Sequence, residues 1–286
     1  MSELFEKWSA HFQKTSTDHS NQSLSLTGDE AFVFDCDQTL IHGDIGEATL
    51  RLALERRWVI SHDAWWQHLI EAEFSTAEIN SWRQGYELEA NRISTEHEKD
   101  KKSASLSQEL WEAYEKLCMD DVESAYIFAA RIAYQRHPVE LALITDSALQ
   151  QDEQVRFRPS VISLVQEIQK QAKVWIVSSS HIGIVRVIAH HYNIPSQQVI
   201  GIDFALDKQQ TYSQNLIQPA PIGPKKINAF QVLNQAQPFL MAGDSKHDLP
   251  MMHYAKSALF IDHHKSIGLR QSAQELGAMI VDSKQL

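Results

Sequence analysis

Cysteine is nearly absent: Cys36 and Cys118 are the only two in 286 residues. Two thiols make neither a disulfide framework nor a metal-ligand cluster, so a reduced, cytoplasmic setting is expected. Basic charge is also short, with 26 Lys and Arg against 37 Asp and Glu and a formal net charge of -11. An acidic surface excludes the usual electrostatic basis for a nucleic-acid or anionic-membrane partner. No apolar run approaches the roughly 20 residues that span a bilayer. The start, "MSELFEKWSAHFQ", carries acids where a signal peptide needs a basic opening and an unbroken apolar core. What remains is an ordinary globular composition, 43% hydrophobic and 22% charged. That length suits one large domain, or a core with a smaller one.

The chain changes texture three times. Leu4, Phe5, Trp8 and Phe12 fall on one helical face, which predicts an amphipathic helix packed on the body, followed by a polar connector; together they take residues 1–24. From Ile45 to about 155 there is no proline before Pro138, and helix signals recur. Ser75 with Glu78 has capping-box spacing, Ser107 and Asp121 stand as further N-caps, and the charged "TEHEKDKKSAS" between two of the helices reads as a solvated turn. Residues 44–155 are therefore expected to form an all-helical insert of domain size. After Pro159, helices alternate with the apolar runs "KVWIV", "QVIGIDF", "PFLMAGD", "ALFID" and "AMIVD". That alternation predicts a parallel sheet covered on both faces, built from residues 25–43 and 156–286.

The stretch "AFVFDCDQTLIHGD" opens this core. Four apolar residues read as a buried strand, and two carboxylates, Asp35 and Asp37, stand at its exit. In parallel sheets reactive groups collect at the carboxyl ends of strands. Two other strand ends carry such groups: Ser178, Ser179 and Ser180 after "KVWIV", and Asp244 with Ser245 after "PFLMAG". Each alone is as well explained by a turn or a helix cap. Together, three converging carboxylates without a local Arg repel one another unless a hard divalent cation such as Mg²⁺ neutralises them. Lys225 or Lys226 at a helix start, with a hydroxyl, would face the anionic part of a ligand. A carboxylate nucleophile, a hydroxyl, a lysine and Mg²⁺ describe phosphoryl transfer.

In their order, "DCDQT", "VSSS", a Lys and "GDSKHD" resemble the four motifs of the haloacid dehalogenase (HAD) superfamily. The likeness is greatest to its phosphoserine-phosphatase-like branch, whose helical cap follows the first motif; it covers 31–44 and about 156–286. The resemblance implies a Rossmann-like α/β core. It also implies Asp35 as the nucleophile that forms an aspartyl-phosphate and Asp37 as the general acid and base. Asp35, the Asp37 carbonyl and Asp244 would ligate Mg²⁺, with Asp248 in or just behind the metal shell. Thr39 would steady the loop, Ser178 and the following Ser179 would bind phosphate, and Lys226 fits the lysine position better than Lys225. Superfamily dehalogenases lack the second Asp and the P-type ATPases carry Thr there, so Asp37 implies a phosphatase acting on a small phosphomonoester, or a phosphomutase. A phospho-accepting receiver-like protein is the alternative from another class.

Five of the seven tryptophans, Trp58, Trp65, Trp66, Trp82 and Trp111, lie in the insert with Tyr86 and Tyr114. They read first as the core of a helical domain. The second reading is an aromatic wall for a cationic head-group, supported by the acids Asp44 and Glu47. Asp44 stands where phosphoserine phosphatases keep a Glu on the substrate ammonium. This implies an amine-bearing substrate of the phosphoserine, phosphocholine or phosphoethanolamine type.

Overall fold

A computed structural model describes residues 2–15, 28–59, 65–66, 74–92 and 101–286, without the side chains of 15, 86–92 and 101–105. The predicted connector lies outside these residues apart from its ends. The described chain divides into two compact units: residues 1–44, 153–201 and 221–286, and residues 45–152 with 202–220.

The first unit is built on a six-stranded sheet. In chain order its strands are β1 (Ala31–Phe34), β4 (Lys173–His181), β5 (Val199–Ile202), β8 (Leu240–Gly243), β9 (Ser257–Asp262) and β10 (Met279–Asp282). Across the sheet they run β10-β9-β8-β1-β4-β5. β1 pairs in parallel with β4 on one side and β8 on the other, Phe32 opposite both Val174 and Leu240. All four residues of β1 are buried, which explains an apolar run without alternation. The chain first builds outward from β1 through β4 and β5, then returns to its other side at β8. This reversal beside β1 is the topological switch point where open α/β sheets bind ligands. A short antiparallel pair, β2 (Ile41–His42) with β3 (Arg156–Phe157), brings the chain leaving the first motif beside the chain returning at residue 156. The helix α1 (Glu3–Thr15) belongs to this unit. Its Trp8 is fully buried, packs edge-on against Phe32 with ring centroids 5.5 Å apart, and donates its indole N–H to Ser257 Oγ at 3.0 Å.

The second unit holds α2 (Ile45–Glu55), α3 (Thr76–Arg92), α4 (Lys101–Asp120), α5 (Val122–Ala130) and α6 (Pro138–Gln151). Two caps form as expected. Ser75 and Glu78 bond reciprocally, and Asp121 accepts from the amides of Glu123 and Ser124. Ser107 is no cap: it lies inside α4, buried, accepting from Arg57 at 2.6 Å and donating to the Leu54 carbonyl. Part of the expected turn is helical too, since α4 begins at Lys101; residues 95–100 lie outside the described ones.

Four of the five tryptophans pack inward, and Trp58 is half-buried. Trp65 stacks on Phe128 with centroids 5.0 Å apart, and Trp66, Trp82 and Trp111 are buried. Arg51 sits 4.3 Å above the Trp111 ring and Arg136 4.8 Å above Trp58, so two ring faces are taken by the chain's own cations. Tyr114 donates to Glu47 at 3.3 Å. The side chain of Tyr86 lies outside the described residues.

One element has no counterpart in the sequence reading. β6 (Phe204–Leu206) and β7 (Tyr212–Leu216) form an antiparallel hairpin in the second unit. Its turn is held by Asp207, which accepts from the amides of Gln209 and Thr211. Main-chain bonds from Gln135 to Tyr212 and from Tyr212 to Arg136 tie it to the helices. Among the described residues, no helix is long and apolar enough to cross a membrane.

Candidate active site

The carboxyl ends of β1, β4 and β8 meet at the switch point. Asp35 follows β1 directly, and its amide continues the ladder by donating to the Ala242 carbonyl at 2.9 Å. The chain then leaves the sheet in a tight irregular turn over Cys36–Leu40, with Gln38 at φ 57. Three buried groups fix this turn by its carbonyls. Arg158 donates to Gln38 at 3.2 Å and to Ile41 at 3.3 Å, His263 bonds Gln38 at 3.0 Å, and the Tyr192 hydroxyl donates to Leu40. Arg158 also reaches the Ser283 carbonyl at 3.0 Å, anchoring the turn to the last residues of the chain. The buried Thr39 hydroxyl, expected to steady the loop, has no hydrogen-bond partner among the described residues; the loop is steadied by Arg158, His263 and Tyr192 instead.

At the end of β8 the chain packs its own carboxylate beneath it. Asp248 is fully buried, and its Oδ2 accepts from the amides of Asp244 and Ser245 and from the Ser245 hydroxyl, at 3.2, 3.0 and 2.8 Å. Gly243 makes room: a Cβ there would stand 2.6 Å from Asp248 Cβ and 2.8 Å from Oδ2. The lysine comes from α8 (Lys225–Leu233), whose buried face consists of Lys226, Ala229 and Phe230. Helical spacing thus selects Lys226, and Lys225 is only partly buried. Lys226 Nζ donates to Asp35 Oδ1 at 2.8 Å and to Asp248 Oδ1 at 2.6 Å.

Asp35, Asp244 and Asp248 offer carboxylate oxygens all within 4.8 Å of one another. One ammonium cannot neutralise three carboxylates. Burial, then the charge of Asp248, pushes the Asp35 carboxyl up to about 7, with Lys226 pulling the other way. Burial and the neighbouring Asp248 and Asp35 raise Asp244 well above the ordinary carboxylate range. Burial works to raise Asp248 as well, but Lys226 and the bonds from Ser245 outweigh it and hold that carboxyl below the ordinary value. Lys226 is shared between Asp35 and Asp248, so the three carboxylates together are left short of positive charge. An all-oxygen donor set with surplus negative charge fits a hard divalent cation such as Mg²⁺.

The three serines at the end of β4 have separate partners. The buried Ser178 hydroxyl accepts from the Ser180 amide at 3.0 Å, which leaves its proton for an anion. Ser179 donates to the Pro221 carbonyl at 3.1 Å. Ser180 donates to Asp37 Oδ2 at 2.7 Å. The cap of the following helix, α7 (Ile182–His191), is His181, which accepts from the Gly183 amide. Asp44 is half-buried at the end of the first unit.

A model of the haloacid dehalogenase-like hydrolases matches residues 30–256. The chain belongs to this family. Solved structures share its fold at low identity. A conserved functionally unknown protein from Anaerococcus prevotii DSM 20548 aligns with a TM-score of 0.66 at 15% identity, over 97% of this chain and 91% of that one. A protein of unknown function from Bordetella pertussis Tohama I gives 0.63 at 13% identity, over 89% and 99%. A phosphoserine phosphohydrolase-like protein from Francisella tularensis subsp. tularensis SCHU S4 gives 0.51 at 14% identity, over 88% and 94%. No curated protein matches the chain. The family's α/β core with an inserted helical region is the fold class expected from the sequence.

Proposed function

We propose that this hydrolase is a Mg²⁺-dependent phosphomonoesterase working through an aspartyl-phosphate on Asp35, with residues 45–152 serving as its cap. The observation that carries the reading is the buried cluster at the switch point: Asp35 paired with Lys226, beside Asp244 and the saturated Asp248. Asp35 and Asp244, with the Asp37 carbonyl, would hold the ion, and Asp248, its oxygens already bonded, would position its neighbours and Lys226. Bound there, Mg²⁺ would favour the ionised form of Asp35 and offset charge on the phosphoryl oxygens.

The carboxylate of Asp35 attacks phosphorus as the ester P–O bond breaks, its electron pair passing to the leaving oxygen. Asp37 gives that oxygen a proton. The resulting Asp37 carboxylate then takes a proton from water, whose oxygen attacks the acyl phosphate and releases phosphate and Asp35. Lys226 and the Ser178 hydroxyl balance charge on the phosphoryl group throughout. Ser179, bonded to Pro221, would offer this group its backbone.

A small amine-bearing phosphomonoester is the proposed substrate class, resting on Asp44 as the partner of the ammonium group. The cap tryptophans give it less support than the sequence suggested, because Trp65, Trp66, Trp82 and Trp111 pack as core and the rings of Trp58 and Trp111 already carry arginines. The test is a panel of phosphomonoesters with Mg²⁺, scored by phosphate release. Phosphocholine, phosphoethanolamine or phosphoserine should lead, and Asp44→Ala should raise their KM while sparing p-nitrophenyl phosphate. Sugar phosphates or nucleotides ahead by about tenfold would remove the amine assignment, and no release from any ester would remove the phosphatase.

A further inference from the structure

The serine run at the end of β4 gives Ser178 and Ser179 to the phosphate in the sequence reading and leaves Ser180 without a task. In the structure Ser180 makes the most specific contact of the three. Its hydroxyl donates to Asp37 Oδ2 at 2.7 Å, joining groups 143 residues apart in the chain. We infer that Ser180 is a positioning residue that holds Asp37 in the orientation needed for proton transfer. The inference rests on the reading of Asp37 as the general acid and base.

Asp37 sits in the irregular turn after β1, whose backbone is fixed through the carbonyls of Gln38, Leu40 and Ile41. Its carboxyl turns on two torsions, proton transfer demands one orientation, and the bond from Ser180 favours one. A hydroxyl suits both halves of the reaction. It donates to the carboxylate and, once Asp37 is protonated, can accept instead, so the contact survives the change of state.

Ser180 is itself immobilised from two other directions. Its amide is bonded to Ser178 Oγ at 3.0 Å. Its carbonyl lies so near β5 that a Cβ on Gly201 would stand 2.7 Å away, with Ile182 Cα at 2.9 Å. Glycine at 201 is what lets this strand end approach. Ser180 is therefore a fixed point, and Asp37 is the group it fixes.

The experiment compares Ser180→Ala and Ser180→Thr, each alone and on Asp37→Asn, against a primary alkyl phosphate and p-nitrophenyl phosphate with Mg²⁺. General acid catalysis contributes about 10²- to 10⁴-fold, and loss of orientation should forfeit part of it. Ser180→Ala should lower kcat on the alkyl ester about 10- to 100-fold with little change in KM. The loss should be smaller on the aryl ester, whose leaving group needs less protonation. Ser180→Thr should recover most of the activity, and Ser180→Ala should cost nothing further on Asp37→Asn. An alkyl-ester rate within about twofold of wild type would overturn the inference. So would equal losses on the two esters, or a full extra loss on Asp37→Asn. A merely structural role predicts those last two results. Failure of the parent reading looks different: wild type without activity, or Asp37→Asn at full activity, removes the acid itself and this inference with it.

Discussion

Replacing Lys226 by Met tests the electrostatics of the site without touching a carboxylate. The side chain is 2% exposed, and Met keeps its length and removes its charge. Deleting one partner of a buried ion pair costs about 3–5 kcal/mol, because the other charge stays buried. Two features place this case at the low end. Asp248 keeps its bonds from Asp244 and Ser245. Asp35, already pushed up to about 7, can take a proton near neutrality. A loss of about 3 kcal/mol is expected at pH 7 in EDTA, within the usual stability of a domain. Without the lysine both carboxyls rise further. The folded state then binds more protons than the unfolded one from the ordinary carboxylate range up to those raised values, so stability falls as pH rises through this window. The penalty should therefore shrink at pH 5, and Mg²⁺ should recover part of it at pH 7. Urea unfolding of both proteins, with EDTA or Mg²⁺, measures each quantity. A loss under about 1 kcal/mol in EDTA at pH 7, or the same loss at pH 5, would refute the reasoning.

His181 supplies an acid-lability of opposite sign. It is buried and accepts from the Gly183 amide, and burial with the nearby Arg186 pushes it down to about 3. Its contribution is complete above the unfolded value near 6.5 and is lost as pH falls, about 2 kcal/mol by pH 5. Unfolding of His181→Asn across this range should lack that slope. Gly243→Ala should displace Asp248, lowering stability by about 1–3 kcal/mol and turnover far more, as paired unfolding and phosphate-release assays would detect. EDTA should abolish phosphate release and Mg²⁺ restore it. Asp244→Asn should need more Mg²⁺ for half-maximal rate, and an unchanged requirement would take Asp244 out of the ligand set.

What was legible in the sequence was local or repetitive. The unbroken apolar run Ala31–Phe34 marked a strand buried on both faces, and β1 lies between β4 and β8. Ser75 and Asp121 were readable as caps because the bonds span only two or three residues. Ser107 had the same local pattern and failed, because its partners, Arg57 and the Leu54 carbonyl, are distant in the chain. The choice of Lys226 was readable in principle, since Ala229 and Phe230 follow it by three and four residues on the buried face. The anchoring of the turn after Asp35 was not. Arg158, Tyr192 and His263 act on main-chain carbonyls, which leave no trace in side-chain spacing. The hairpin of β6 and β7 lacks the glycine that usually marks such turns; Gln210 takes the positive φ of 62 instead.

The central claim is that Asp35 becomes phosphorylated. It is tested most directly by mixing the protein with Mg²⁺ and a phosphate-labelled ester, quenching in acid during turnover, and locating the label by peptide mapping. The account predicts a hydroxylamine-labile phosphoryl group on the peptide carrying Asp35, increased in Asp37→Asn and absent in Asp35→Asn. Phosphate release by wild type with no labelled Asp35, or full turnover by Asp35→Asn, would contradict it.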